Sequence, residues 1–266
     1  MNLKVILGKL FFQLAPIVNL RDKKINKNFI ESLIKYRKRK HVLLNIPKKN
    51  CVTGIYWKLN ETNPFIRTLM EDNDSFLKTY YTAFQPKNVN ELLSINLKNN
   101  YGQKSPYTYV FPWHSFNCEI ALIGRQKTAL RENEVQGFHG LTIEKGGHTD
   151  FGPLNKEKLK VEIGRIRKLY SSIKRSGFVE VLRSEDGIIG GCFLLDKNGD
   201  WRFYITSGKH RAYVLAALGY EKIPVRLNTG NELVKQIDSD KWFHVKKGNY
   251  SSEQAQKVFE RFFTNI

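Results

Sequence analysis

The sequence predicts an α+β fold: a mixed-sheet domain over residues 131–266, preceded by a basic α/β region over residues 1–130. Three observations predict it. Residues 201–205 (Trp-Arg-Phe-Tyr-Ile) are aromatic and β-branched, as strands are; Ser207-Gly208 breaks them, a helical pattern runs from His210 to a closing Gly219, and residues 223–227 return as a strand. Residues 157–176 place Leu159, Ile163, Ile166, Leu169 and Ile173 at three- and four-residue spacing, the stripe of an amphipathic helix. Strand and helix signals are mixed through residues 41–130.

In chain order, residues 3–20 are apolar but interrupted by Lys9, Gln13, Pro16 and Asn19, too short and too broken for a membrane span. Lys4 and Lys9 are signal-peptide-like, yet no small-x-small cleavage site follows. Two readings stand: a segment packed on the domain, or an interfacial helix. Residues 21–40 hold nine Lys/Arg against Asp22 and Glu31, and residues 28–40 read as a helix with Phe29, Leu33 and Tyr36, or Ile30 and Ile34, facing inward. An apolar segment followed by a basic one suits docking on an anionic membrane surface; the same basic run suits the phosphates of nucleic acid, or simply a solvated face.

Residues 41–47 and 54–59 read as strands, 64–70 as a short helix after Asn63-Pro64, 74–81 as a helix capped by Asp74, and 88–93 as another helical turn. Residues 96–105 read as a polar loop. Residues 107–113 (Tyr-Thr-Tyr-Val-Phe-Pro-Trp) read as a packed core strand, or as rings that stack on a base or sugar. Residues 137–154 form a glycine-rich loop carrying His139, Glu144, His148 and Asp150, a place for a lid or a catalytic carboxylate. His148-x-Asp150 is either a simple turn, an acid–base pair or part of a metal site, though two residues are too few to define one. Along the 157–176 helix, Glu162 and Arg165 sit three apart as a surface ion pair would. Strands are expected at 179–183 and 190–195, a hairpin turn at 196–200, and a tail helix at 251–263 capped by Ser251 or Ser252.

Composition narrows the partners. Hydrophobic content of 41% and aromatic content of 12% argue for a folded globule. The net charge is +19; residues 1–130 carry 21 Lys/Arg against 8 Asp/Glu, and residues 131–266 carry 23 against 17, so most of the excess lies in the first half. Such a balance favours an anionic partner: a nucleotide, nucleic acid, acidic lipid or charged glycan, unless it merely solvates the surface. Cys51, Cys118 and Cys192 are widely spaced and odd in number, which fits buried thiols in a reducing, cytoplasmic setting and disfavours a zinc or redox pair.

The chemistry-bearing stretch is Ser207-Gly208-Lys209-His210-Arg211. A strand, a glycine turn and a helix start place free N–H groups, the positive end of a helix dipole and three basic side chains together, an anion trap. It is not a Walker loop: Phe203 stands where that motif needs glycine, and His210 where it needs Ser or Thr. No Gly-x-Gly-x-x-Gly fingerprint, Gly-x-Ser-x-Gly elbow or zinc spacing occurs.

The same stretch resembles the Gly-x-His-Arg box of the ParB/sulfiredoxin-like superfamily. Upstream, Leu169-Tyr170-Ser171-Ser172-Ile173-Lys174-Arg175-Ser176-Gly177 is similar to its Leu-x-x-Ser-Ile-x-x-x-Gly helix, and downstream Leu218-Gly219-Tyr220-Glu221-Lys222-Ile223-Pro224-Val225 is similar to its exit. The resemblance covers residues 137–228. It implies a ParB/sulfiredoxin-like nucleotide-binding domain in which Ser207, Gly208, Lys209, His210, Arg211 and Ser172 hold ATP, ADP or CTP, with Mg²⁺ and a carboxylate base for phosphoryl transfer. Asp150, Glu144 and Glu162, with His148, are the candidate catalytic residues. The sulfiredoxin branch needs a reactive cysteine in this loop, where Ser207 and Lys209 stand. The pairing of residues 107–113 with this module is similar to proteins of surface-polysaccharide clusters, implying a small-molecule or sugar hydroxyl acceptor. Two alternatives are a nucleotide-switched nucleic-acid-binding protein of the ParB type, against which the tail after Leu227 shows no helix pair suited to a groove, and a non-catalytic accessory protein of glycan assembly at the inner face of the membrane.

Overall fold

The computed structural model describes residues 16–37, 40–180, 187–227 and 233–264. Among them the strands are β1 (Ile17–Asn19), β2 (His41–Pro47), β3 (Cys51–Thr53), β4 (Trp57–Lys58), β5 (Gly190–Leu195), β6 (Trp201–Ser207), β7 (Lys222–Leu227) and β8 (Leu233–Lys235). The helices are α1 (Lys27–Tyr36), α2 (Pro64–Met70), α3 (Ser75–Ala83), α4 (Val89–Leu93), α5 (Cys118–Val135), α6 (Ile143–Gly146), α7 (Lys156–Ser176), α8 (Lys209–Ala217), α9 (Phe243–Lys246) and α10 (Ser252–Glu260). The α+β class with a mixed sheet is therefore observed. No helix among the described residues is long and apolar enough to cross a membrane.

The chain divides into two compact units that interleave in sequence: Met1–Ile66 with Leu169–Lys235, and Arg67–Lys168 with Gln236–Ile266. A sequential division at residue 130 is not what the contacts draw. The reason lies in the first unit's sheet, of order β1-β2-β7-β5-β6-β3-β4 with β8 beside β5. β2 pairs antiparallel with β7 from Val42↔Leu227 to Pro47↔Lys222, and β3 runs parallel to β6 from Cys51↔Phe203 to Thr53↔Ile205. The N-terminal strands are thus integral to the sheet that carries residues 201–227. Val42, Leu44, Ile46, Phe193, Phe203, Ile205, Ile223, Val225 and Leu227 are buried on it, the apolar area that holds it together.

Several expectations are corrected here. Residues 54–59 do not form one strand: Gly54 and Tyr56 have φ of 54° and 68°, so the chain turns back and β3 pairs with β4 as a hairpin. At these left-handed angles a continuous strand is sterically closed. α1 ends at Tyr36 rather than reaching residue 40, and it buries Ile30 and Leu33 while Tyr36 is exposed. The basic run after it is not uniformly solvated: Arg37 is buried, donates to the Lys40 carbonyl at 3.1 Å, and is lowered by burial to about 10. Of the apolar segment 3–20, residues 3–15 lie outside the described residues; β1 (Ile17–Asn19) pairs parallel with β2, so the end of the segment is sheet edge, not interfacial helix. The strand expected at 179–183 falls mostly outside the described residues, and Val179 and Glu180 are irregular.

The second unit is helical around an aromatic core. Trp113 stacks on Phe111 with ring centroids 5.1 Å apart and meets Trp242, Phe259 and Phe262 edge-on at 5.3–5.7 Å. Residues 107–113 are this core but not a strand. Their backbone is bonded by tyrosine hydroxyls instead: the Val110 N–H donates to the Tyr101 hydroxyl at 2.8 Å, and the Tyr250 hydroxyl donates to the Val110 carbonyl at 2.6 Å. Buried amides need partners, and side chains serve as well as a neighbouring strand. Asp74 does not cap α3; its carboxylate takes the Arg167 guanidinium at 2.7 Å. Ser251 does cap α10, in a reciprocal box with Gln254.

Two histidines in this unit make its stability acid-sensitive. His244 shares a hydrogen bond with the Phe116 carbonyl at 2.9 Å and another with the Asn249 amide at 2.8 Å, and His114 accepts the Phe111 N–H at 3.2 Å inside a ring of Phe111, Trp113 and Phe116. Burial lowers both, His114 to about 3, with Arg125 and His244 adding positive charge nearby. A histidine held neutral in the folded state takes up protons more readily when unfolded, so stability falls as pH drops below the ordinary value near 6.5. Between pH 7 and pH 5 the loss from His114 alone is about 2 kcal/mol. Thermal melts across that range should show it, and His114→Phe should flatten the slope.

Candidate functional site

The strand–turn–helix at residues 201–217 folds as its residue types require. β6 ends at Ser207, Gly208 takes a left-handed backbone (φ 73°, ψ 25°), and α8 begins at Lys209. Glycine is needed twice over. The conformation disfavours a side chain, and a Cβ here would lie 2.4 Å from the Ile188 carbonyl oxygen. The Gly208 carbonyl accepts the first helical bond, from the Ala212 N–H at 3.0 Å. The N–H groups of residues 209–211 therefore face away from the helix's own ladder. Gly219, at φ 84°, ends the helix, and β7 follows directly.

Around this turn, Thr206 and Ser207 are exposed and Lys209, His210 and Arg211 are half-buried. The His210 ring sits 5.6 Å from Phe65 and 6.3 Å from Tyr213; Phe65 and Tyr213 stack at 4.8 Å, and the Tyr213 hydroxyl lies 3.4 Å from the Thr53 hydroxyl. That packing fixes where the imidazole stands. Ser172 is exposed on α7, in the same unit. One residue that sequence reading passed over belongs to this neighbourhood. Gly190 pairs with both Ser207 and Arg226, so the fully buried Arg226 lies in register two strands from the turn. A guanidinium stays charged wherever it is placed; the signal was a lone arginine in the otherwise apolar run 223–227.

The candidate carboxylates belong to the other unit. Asp150 is buried: its Oδ2 receives the Tyr109 hydroxyl at 3.4 Å, its N–H donates to His148 Nδ1 at 3.1 Å, and its carbonyl accepts from the Tyr80 hydroxyl. His148 stacks on Phe151 at 5.0 Å. Glu144 is exposed on α6, takes the Gln126 amide at 2.6 Å, and is lowered by that bond. Glu162 is not on a polar face. Its carboxylate is fully buried, 2.7 Å from the equally buried Lys158 ammonium, 3.5 Å from Arg165, and 3.3 Å from the Thr149 hydroxyl. Arg165 also makes a two-pronged pair with Glu132 at 2.9 and 3.1 Å, and Lys158 donates to Asn133 at 2.9 Å. This network ties the 149–150 turn, α5 and α7 together.

All three cysteines are buried, and burial raises each thiol, Cys192 to about 12, so none is a ready nucleophile. Among the described residues no group of three or more His, Cys, Asp or Glu side chains gathers closely enough to hold a metal. No protein-family model, curated protein or solved structure matches the chain.

Proposed function

We propose that this protein is a nucleotide-dependent, kinase-like phosphotransferase of the ParB/sulfiredoxin-like type, acting on a small-molecule or sugar hydroxyl. The observation that carries this reading is the left-handed Gly208 at the mouth of α8, with Lys209, His210 and Arg211 in its first turn. Backbone N–H groups, helix dipole and basic side chains all favour phosphoryl oxygens there. ATP, ADP or CTP is the expected ligand, held at the turn by residues 207–211, and Mg²⁺ carried in with the phosphates would offset the charge that develops during transfer. The chain's own residues clamp and orient the phosphates, and a carboxylate accepts the acceptor hydroxyl's proton.

Incubation with γ-labelled ATP and a panel of polyols and sugars tests the reaction. Label should pass to one acceptor class, and Arg211→Ala should abolish transfer while circular dichroism stays unchanged. Transfer at the original rate in that variant would remove the turn from the mechanism.

A further inference from the structure

α5 is built inside out. Its inward face carries Cys118, Ala121, Ala129 and Asn133, small or polar residues. Ile120 and Ile123 stand outward, 57% and 49% exposed, and Phe116 is exposed just ahead of the helix. A helix that answers only to its own chain does the opposite and turns its large apolar residues inward. Single exposed apolar residues are ordinary on a surface, but two isoleucines three apart on a helix are neighbours and make one patch. The exposed residues Ile123, Gly124, Lys127 and Arg131 all lie within about 60° of Ile120 at about 100° per residue, so the stripe keeps to one face.

Gly124 is a second, independent observation. It is exposed in the middle of the patch, and nothing within 4 Å would meet a Cβ there. Glycine weakens a helix interior relative to alanine, and packing within this chain does not require it. Beside two isoleucines, the bare backbone lets a second helix axis come close. The charges on this face are a third observation. Exposed Glu119 and Glu134 stand against exposed Lys127 and Arg131, a balanced set on a chain of net charge +19. An anionic partner would be met by an excess of cations; this face has none.

We propose that this face of α5 packs antiparallel on the same face of a second copy of the chain. With the twofold axis passing beside Ile123, that side chain meets its own copy while Gly124 admits the partner backbone. The same axis brings Glu119 of each protomer to Lys127 of the other, flanking the apolar contact as charges flank a coiled-coil seam. Within its own chain Glu119 has only a loose surface pair with Lys104 at 3.7 Å. A parallel arrangement would set Lys127 against Lys127, so charge selects the antiparallel one. One helix face falls short of the roughly 800 Å² per partner of a stable complex, so the dimer is one that dissociates on dilution. This inference does not depend on the nucleotide turn.

Sedimentation velocity over a wide concentration range, on the full chain, tests it. The wild type should pass from monomer to dimer as concentration rises. Ile123→Lys should raise the dissociation constant at least about tenfold, with circular dichroism unchanged. Gly124→Gln, which favours the helix itself, should also weaken pairing. Glu119→Lys and Lys127→Glu should each weaken it alone, whereas an equimolar mixture of the two should associate better than either, because every 119–127 contact across the interface is then between opposite charges. A wild type that stays monomeric at every concentration, an Ile123→Lys variant that pairs as the wild type does, or a mixture no better than its components would overturn the proposal.

Discussion

Lys158→Met should lower the stability of the protein by about 3 kcal/mol, because it leaves the Glu162 carboxylate buried with its nearest counter-charge gone. Breaking a buried pair from one side costs about 3–5 kcal/mol, and the lower end applies because Arg165 remains at 3.5 Å. Asn133, whose side chain receives the same ammonium, loses a donor as well. The double variant Lys158→Met/Glu162→Leu should recover most of the loss, since two apolar side chains of similar volume replace a pair whose desolvation nearly offsets its attraction. Chemical denaturation of the three proteins distinguishes these outcomes. A double variant no more stable than Lys158→Met would show that the Thr149 and Arg165 contacts to Glu162, not the charge balance, hold this region.

Gly208→Ala should be the next most costly single change. A left-handed backbone costs an L-residue about 1–3 kcal/mol where its surroundings enforce it, and here the new methyl would press on the Ile188 carbonyl. Either β6 and residues 188–189 ahead of β5 move apart, or the first turn of α8 shifts. Each kilocalorie is worth about 2–4 °C in the melting temperature of a chain this size. The contrast with Gly219→Ala separates clash from backbone preference: Gly219 is also left-handed, at φ 84°, but nothing lies within 4 Å of the missing Cβ. The Gly208 variant should melt lower than the Gly219 variant and should lose anion binding, which Gly219→Ala should keep.

The parts of the fold that were legible in the sequence are those where local chemistry and burial agree. Residues 201–227 announce strand, turn, helix and strand because aromatic and β-branched residues, a glycine and an alanine-rich run each sit where their backbone preferences are met. The capped α10 and the amphipathic α7 are legible for the same reason. α5 was not, because it exposes Ile120 and Ile123 and shows no apolar stripe. The core segment 107–113 misled because aromatic composition reports burial, not pairing; the Val110 N–H is taken by the nearby Tyr101 hydroxyl and its carbonyl by that of Tyr250, 140 residues on. Glu162 misled because charges three residues apart on a helix, as with Arg165, are ordinary surface pairs, and only tertiary packing put its carboxylate inside against Lys158. Of the candidate site, the turn's geometry was legible because glycine's role is local. Its neighbours Phe65, Tyr213 and Arg226 were not, because sheet register alone brings Arg226 beside Gly190 and packing alone sets the rings against His210.

Isothermal titration of ATP, ADP and CTP into the wild-type protein and into Arg211→Ala tests the nucleotide reading most directly. The account predicts saturable binding of at least one nucleotide at one site per chain, and its loss in a variant that remains folded. No binding by the wild type, or equal affinity in both proteins, would contradict the claim that the turn after β6 holds phosphate.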